Sequence, residues 1–234
     1  MLGRERIEAT VHYSAALVGG YFGIYALMVR SNNFGSSQTS NLIYIVSSIL
    51  GNSISELMIR VGAALLYMTA IFLTVLIPKH FSKVNMKLLS MCVNAVAVVI
   101  LAFLPMDMDP ILGLYPIFFA MAFQWNSFNG ARGYNSSTIF STNNLRQLTM
   151  SFAEVVSGNC EQLDKLKFYG VTLIGFHIGV AVSYVAWYFL GILGIWFGLL
   201  PIVINCCLVC KEIAYNSETY YSDKDLTIYT KKTA

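Results

Sequence analysis

Charge is what this sequence lacks most. Only 12% of its 234 residues are Asp, Glu, Lys or Arg, about half the share found in soluble domains. A chain so poor in charge and 56% hydrophobic does not read as a disordered tail, a nucleic-acid binder or a cytosolic enzyme, because none of these keeps so much apolar surface from water. The apolar stretches also lack any Ser-His-Asp, His-Glu-x-x-His or paired-carboxylate arrangement. An intramembrane enzyme needs such a nucleophile, base or ligand set, so the expectation is no enzyme, no metal and no cofactor.

The few charges leave long gaps. Residues 11–29, 61–78, 88–106 and 110–131 contain no Asp, Glu, Lys or Arg, and neither does the 43-residue stretch from Phe168 to Cys210. A spanning helix needs about 20 mostly apolar residues, so the long stretch holds two spans and the expected total is six. The first run follows Met-Leu-Gly-Arg-Glu-Arg but passes through Gly19, Gly20 and Gly23 into large residues without a small-x-small exit, which reads as a mature span rather than a cleaved leader. With both termini cytoplasmic, Arg4 and Arg6, then Lys79, Lys83 and Lys87, then Arg132, Arg146, Lys165 and Lys167, then Lys211, Lys224, Lys231 and Lys232 all face the cytoplasm, 13 of the 15 basic residues. Arg30 and Arg60 alone remain outside, the bias expected of a multi-pass cell-membrane protein.

Two polar interruptions break this pattern. Residues 31–41 lead into the apolar piece Leu42 to Leu50, and residues 127–144 lead into Leu145 to Val156. Counted as spans they would put the three lysines at 79, 83 and 87 outside. The first would also rise only about 18 Å against a hydrocarbon core of about 30 Å. Re-entrant half-helices fit better, with polar backbone buried in protein or lining a water-filled cavity. Setting Thr39-Ser-Asn-Leu42 over Thr142-Asn-Asn-Leu145 brings two halves into register, and Gly62 then falls on Gly170 after a short gap. The expected fold is an all-α membrane protein of two inverted three-span repeats. A cytoplasmic segment 1–10 comes first, followed by a repeat over 11–106 with re-entrant segment 31–53. A second repeat over 107–210 has re-entrant segment 127–157, and a polar tail closes the chain at 211–234, a short extension expected to be partly disordered.

These strings also resemble a family. Phe34-Gly-Ser-Ser-Gln-Thr-Ser-Asn-Leu42 behind a Gly-rich first span, and Gln124-Trp-Asn126 followed by Thr142-Asn-Asn-Leu145, are similar to the YoaK-type bacterial membrane proteins, a family of unknown function, over roughly residues 12 to 210. Thr39 and Asn41 match the family's Thr-Gly-Asn, with Ser40 where glycine is usual. Thr142 matches in the second half, whereas Asn143 and Asn144 depart from its Thr-Gly-Thr. Many members carry an Asp in the first span after a Gly-aromatic pair; here Gly20-Tyr-Phe-Gly23 has no acid, which speaks against proton coupling through such a carboxylate. The resemblance implies six spans and a membrane location, and names no substrate.

Candidate site residues follow from the half-helix starts. Thr39, Ser40 and Asn41, and Ser141 and Thr142, are good N-caps, and capping alone would account for them. In an inverted repeat, however, the two N-termini enter from opposite faces and meet near the midplane, where free N–H groups and the positive dipole ends favour an anion or polar solute. Gln38, Asn143 and Asn144 add donors and acceptors at that level. Gln124 and Asn126 sit in an apolar span, where interhelical hydrogen bonding is the plainer reading and solute contact the sharper one. Arg30 and Arg132 either snorkel to headgroups or line two vestibules. His177 between Gly175 and Gly179 either packs neutral or gates by titrating. Asn94 and Asn205 read as interhelical glue.

Five cysteines, including Cys207-x-x-Cys210, read as inert buried thiols. The pairs Gly19/Gly23, Gly175/Gly179 and Gly194/Gly198 suit close helix contact, within the chain or in a homo-oligomer. The expected function is a small-solute transporter or channel whose partners are the bilayer and a polar or anionic solute, with no nucleic acid. The alternative is a non-transporting interaction or accessory protein whose loops are only structural.

Overall fold

The computed structural model describes residues 2–30 and 33–232, with side chains from Gly3 to Glu218. Ser31 and Asn32 of the first polar segment lie outside the described residues, as do the side chains of the tail tyrosines Tyr220, Tyr221 and Tyr229. The described chain is almost wholly helical: α1 (Leu2–Val29), α2 (Thr39–Leu50), α3 (Ile54–His80), α4 (Met86–Phe103), α5 (Tyr115–Ser127), α6 (Thr142–Val156), α7 (Leu163–Leu190) and α8 (Leu199–Lys232). A two-stranded hairpin, β1 (Gly130–Ala131) with β2 (Tyr134–Asn135), lies between α5 and α6. The polar tail is therefore helical through Lys232, a continuation of α8 in place of the partly disordered extension its composition suggests.

Among the described residues three helical segments are long and apolar enough to cross a membrane: Ile54–His80 of 27 residues, Met86–Phe103 of 18, and the run Cys160–Glu218 of 59. The last is more than two spans long, and it does not run straight. Gly191 takes φ +57°, a 3-10 stretch Gly191–Gly198 follows, and the backbone of Gly194 lies against that of Ala186. Residues eight apart in an unbroken helix would stand about 12 Å apart, so the chain turns back here.

The stretch expected as a fourth span, 110–131, is helical over less of its length. Asp109 Oδ1 accepts from the N–H groups of Ile111 and Leu112 at 2.8 and 3.1 Å, a 3-10 turn covers Leu112–Leu114, and α5 begins at Tyr115 with Pro116 in its first turn. It ends at Ser127 because the chain must turn into the hairpin, where Gly130 has φ +155° and Arg132 and Gly133 take φ +55° and +77°, the paired positive values of a two-residue primed turn. Thirteen residues rise only about 20 Å.

Packing around α1 sets the architecture. Val11, Ala15, Val18, Tyr21, Phe22 and Ala26 are completely buried. On one side α1 crosses α7 so closely that a Cβ at Gly20 would strike the Phe176 carbonyl, and one at Gly179 would strike the Leu17 carbonyl. These glycines are used for contacts within the chain. Helix α1 packs on α7 and α8, and α5 packs on α3 and α4, the two long helices that precede it. Outside this core the surface is apolar: Leu50, Phe103 and Phe189 are 80%, 77% and 74% exposed. Helix α2 is inverted relative to a helix in water, with only Asn41 and Ser48 buried while Leu42, Ile43, Tyr44, Val46 and Ile49 face outward. That polarity suits a lipid surround.

Candidate functional site

The two polar segments converge on one cavity. It measures about 510 Å³ and is lined by Gln38, Thr39 and Leu42 at the start of α2 and by Thr142 at the start of α6. Tyr67 of α3, Trp125 of α5 and Phe140 complete its wall with Phe34 and Ser37. Among the described residues no charged side chain lines it. Trp125 and Phe140 meet edge to face with centroids 5.0 Å apart, which fixes one aromatic side of the space.

Helices α2 and α6 begin at Thr39 and Thr142, three residues ahead of the apolar runs expected from Leu42 and Leu145, and the expected capping is not seen. The N-caps are Gln38 and Ser141, both with helical backbone angles and neither side chain accepting from a backbone N–H of its helix. Thr39 and Thr142 already belong to the first turn, and the first intrahelical bonds run from Leu42 N to Gln38 O at 2.9 Å and from Leu145 N to Ser141 O at 2.8 Å. The orphan N–H groups ahead of those bonds are left without a capping side chain at the edge of the cavity. Gln38 Nε2 and Ser141 Oγ are themselves buried without a partner.

Asn41 and Asn144, aligned by the repeat, are buried at the third position of their helices, as Ser48 and Ser151 are at the tenth. Each asparagine is a structural tie. Asn41 Nδ2 donates to Gln38 Oε1 at 2.8 Å and to Arg60 O at 2.9 Å, binding α2 to α3. Asn144 acts like a peptide unit toward Ser137: Nδ2 donates to Ser137 O at 2.6 Å, and Oδ1 accepts from Ser137 N at 3.2 Å. Its Oδ1 also accepts from Ser136 Oγ at 2.9 Å. Because that hydroxyl gives its only proton to Asn144, the 3.0 Å contact between Ser136 Oγ and His12 Nε2 requires the ring to donate. His12, buried and stacked on Phe168 at 5.4 Å, thus links α1 to the entry of α6.

The remaining candidates are dispersed. Gln124 is fully buried, donating to Ala15 O at 2.9 Å and Thr138 Oγ1 at 3.1 Å and accepting from Asn94 Nδ2 at 2.6 Å. It joins α1, α4, α5 and the segment before α6. Asn205 similarly joins α8 to Val11 O and Ser14 Oγ at 2.9 and 2.6 Å, so the interhelical reading describes both. Asn126 is exposed and donates to Thr74 Oγ1. Ser40 is exposed and Asn143 half-buried, and neither lines the cavity. Arg30 is 2% exposed and donates from Nη1 to Pro105 O at 3.0 Å, so it clamps the connector between the halves. Arg132 meets Asp164 at 3.5 Å and Glu5 at 4.0 Å. His177 lies on the exposed side of α7, bonded to Leu173 O at 2.8 Å; it is neither packed in the core nor at the cavity.

Of the predicted site residues, Gln38, Thr39 and Thr142 come together. Sequence reasoning missed Ser37, Leu42, Tyr67 and the aromatic walls. Phe34, Trp125 and Phe140 sit inside or beside the polar strings and carried a readable signal; Tyr67, within an apolar span, carried none. Among the described residues no group of three or more His, Cys, Asp or Glu could hold a metal.

Apolar helices of membrane-spanning length and inward-turned polar helix faces define a helical membrane protein. It belongs to a family of unknown function, DUF1275, whose model matches residues 11–208. No curated protein and no solved structure matches the chain.

Proposed function

We propose that this protein is a small-solute transporter or channel in which a polar or anionic solute occupies the cavity between the starts of α2 and α6. The observation that carries the reading is the shared lining: Gln38 and Thr39 from one half and Thr142 from the other face the same 510 Å³ space. Uncapped N–H groups at two helix starts offer donors for an anion or a carbonyl, and aromatic walls suit a solute with an apolar side. The absence of lining charge favours a neutral solute or a monoanion over a polyanion.

The transport reading rests on six spans, α1, α3, α4, α5, α7 and α8, in two inverted repeats. The exchange of first helices between halves and the matched burial of Asn41/Asn144 and Ser48/Ser151 support it, as does the YoaK-type resemblance. Basic residues gather on the side of both termini, which points to cytoplasmic ends. A second reading, an accessory protein with purely structural loops and no solute path, draws on the fact that Asn41, Asn144 and Gln124 spend most of their hydrogen bonds within the chain.

Cysteine accessibility separates the two readings without knowledge of the solute. In vesicles, Thr39→Cys and Thr142→Cys should react with a membrane-impermeant thiol reagent, while Gly198→Cys, at a buried helix contact, should not. Absence of labelling at both threonine positions would overturn the transport reading. Flux of chloride, formate and glycerol into proteoliposomes should then be lost for the carried species in Thr142→Trp, which fills the cavity.

A further inference from the structure

A second cavity lies away from the solute site, between α3, α4 and α5. It measures about 560 Å³, and its wall includes Leu66 of α3, Leu89, Val93, Val96 and Ile100 of α4, and Phe119 of α5. Its side is open: Val96 and Ile100 are 58% and 43% exposed, and both supporting helices α3 and α4 are long and apolar enough to cross a membrane. Along α4 the groove runs from Leu89 to Ile100, which at 1.5 Å per residue is about 16 Å, close to half of a hydrocarbon core of about 30 Å and therefore the depth of one leaflet. Phe119 of α5 forms part of the wall of the slot, while the exposed Val96 and Ile100 leave its outer side open.

One end of the groove is basic. Leu89 lies one turn into α4; Lys79 in the last turn of α3 and Lys83 in the α3–α4 connection stand at the same end of these helices, both exposed and neither in an ion pair among the described residues. Lys87 is already engaged, its Nζ at 2.8 and 2.9 Å from Glu212 Oε1 and Oε2. Two free ammonium groups at the mouth of an apolar slot one leaflet deep match a phosphate headgroup above an acyl chain. We infer that this groove is a binding site for one anionic phospholipid, its acyl chain between Leu89 and Ile100 and its phosphate at Lys79 and Lys83. The site shares no residue with the solute cavity, so it stands or falls independently of the transport reading.

Native mass spectrometry of the full delipidated chain tests this, with dioleoyl phosphatidylglycerol and dioleoyl phosphatidylcholine as probes. The expected result is a single adduct that forms with the glycerol lipid at concentrations at least ten-fold lower than with the choline lipid, since each lysine near an anionic headgroup contributes roughly five-fold. Val96→Trp, which places a ring across the slot from an exposed position, should remove the adduct. Lys79→Gln with Lys83→Gln should keep an adduct but lose the preference. Equal affinity for the two lipids, an unaltered adduct in Val96→Trp, or a preference that survives loss of both lysines would each overturn the assignment. The lysine variant changes exposed side chains only, so it decides the matter even if the tryptophan variant fails to fold.

Discussion

Replacing Asn144 by alanine should destabilise the protein far more than replacing its repeat counterpart Asn41. Asn144 is 1% exposed and makes three hydrogen bonds, two of them to the backbone N–H and C=O of Ser137. Ser137 lies outside any helix or strand, so without Asn144 its peptide groups lose the partner that stands in for a ladder. Three side-chain bonds at about 0.6 kcal/mol each in a membrane protein, plus about 1 kcal/mol or more for an orphaned buried N–H, give roughly 3 kcal/mol. Asn41 donates both its bonds from Nδ2, and one acceptor, Arg60 O, lies inside α3, where the helix already satisfies it. Its loss leaves only the half-buried Gln38 Oε1 without its donor and costs about 1 kcal/mol. Thermal unfolding of the purified chain in detergent, followed by tryptophan fluorescence, should show a drop of about 6–12 °C for Asn144→Ala and about 2–4 °C for Asn41→Ala, taking 2–4 °C per kcal/mol for a chain of this size. Equal shifts, or a larger one at Asn41, would refute the view that Asn144 replaces a peptide unit.

Gln124→Leu should cost about 2–3 kcal/mol in the same assay, because the buried Asn94 amide loses its acceptor; Asn94→Leu combined with it should recover part of that loss, and full additivity would count against the pairing. Gly179→Leu should abolish folding, read as loss of the monodisperse species on size exclusion, since the Leu17 backbone occupies the space a side chain needs. Gly133→Asn should leave the melting midpoint within about 1 °C, because its Cβ direction is open and Asn accepts positive φ. Lys87→Met should lower stability by about 2 kcal/mol, as Glu212, only 8% exposed, is left without its partner, and Glu212→Gln in the same background should recover most of it.

Hydropathy and spacing carry the parts of this fold that depend on the solvent around a single element. The charge-free stretches become α1, α3, α4, α7 and the first part of α8 because a helix is the way to hold backbone groups in an apolar surround. The starts of α2 and α6 were legible to within three residues, because apolar runs open at Leu42 and Leu145 while the helices begin at Thr39 and Thr142, inside the polar strings. What sequence could not supply is which element faces which. Ala-Arg-Gly-Tyr at 131–134 lacks the Asn-Gly or Asp-Gly pair that marks a hairpin, so the turn that shortens α5 gave no signal. Asn41 and Ser141 read as caps, because those residue types favour the position; their actual partners, or lack of them, are set by α3 and by the segment before α6.

The two half-helices share a pattern but not an anchor, and the difference bears on motion. Helix α2 packs on α3 and is tied by Asn41 to the α3 backbone, within its own half. Helix α6 packs on α7 but is tied through Asn144 and Ser136 to His12 of α1, which itself packs on α7 and α8. Movement of α1 against α7 therefore pulls on the entry of α6 through His12, whereas at α2 the pull of the segment that follows α1, where Asn33 donates to Arg30 O, is opposed by the Asn41 tie to α3. If the cavity between them opens alternately to the two sides, α6 with Thr142 and Phe140 is the side that moves, and α2 with Thr39 is the fixed wall. Spin labels at Thr142 and at Thr39, each paired with one on α3 at Leu65, should show a broad or two-peaked distance distribution for Thr142 and a narrow one for Thr39; the reverse result would place the moving element in the first half.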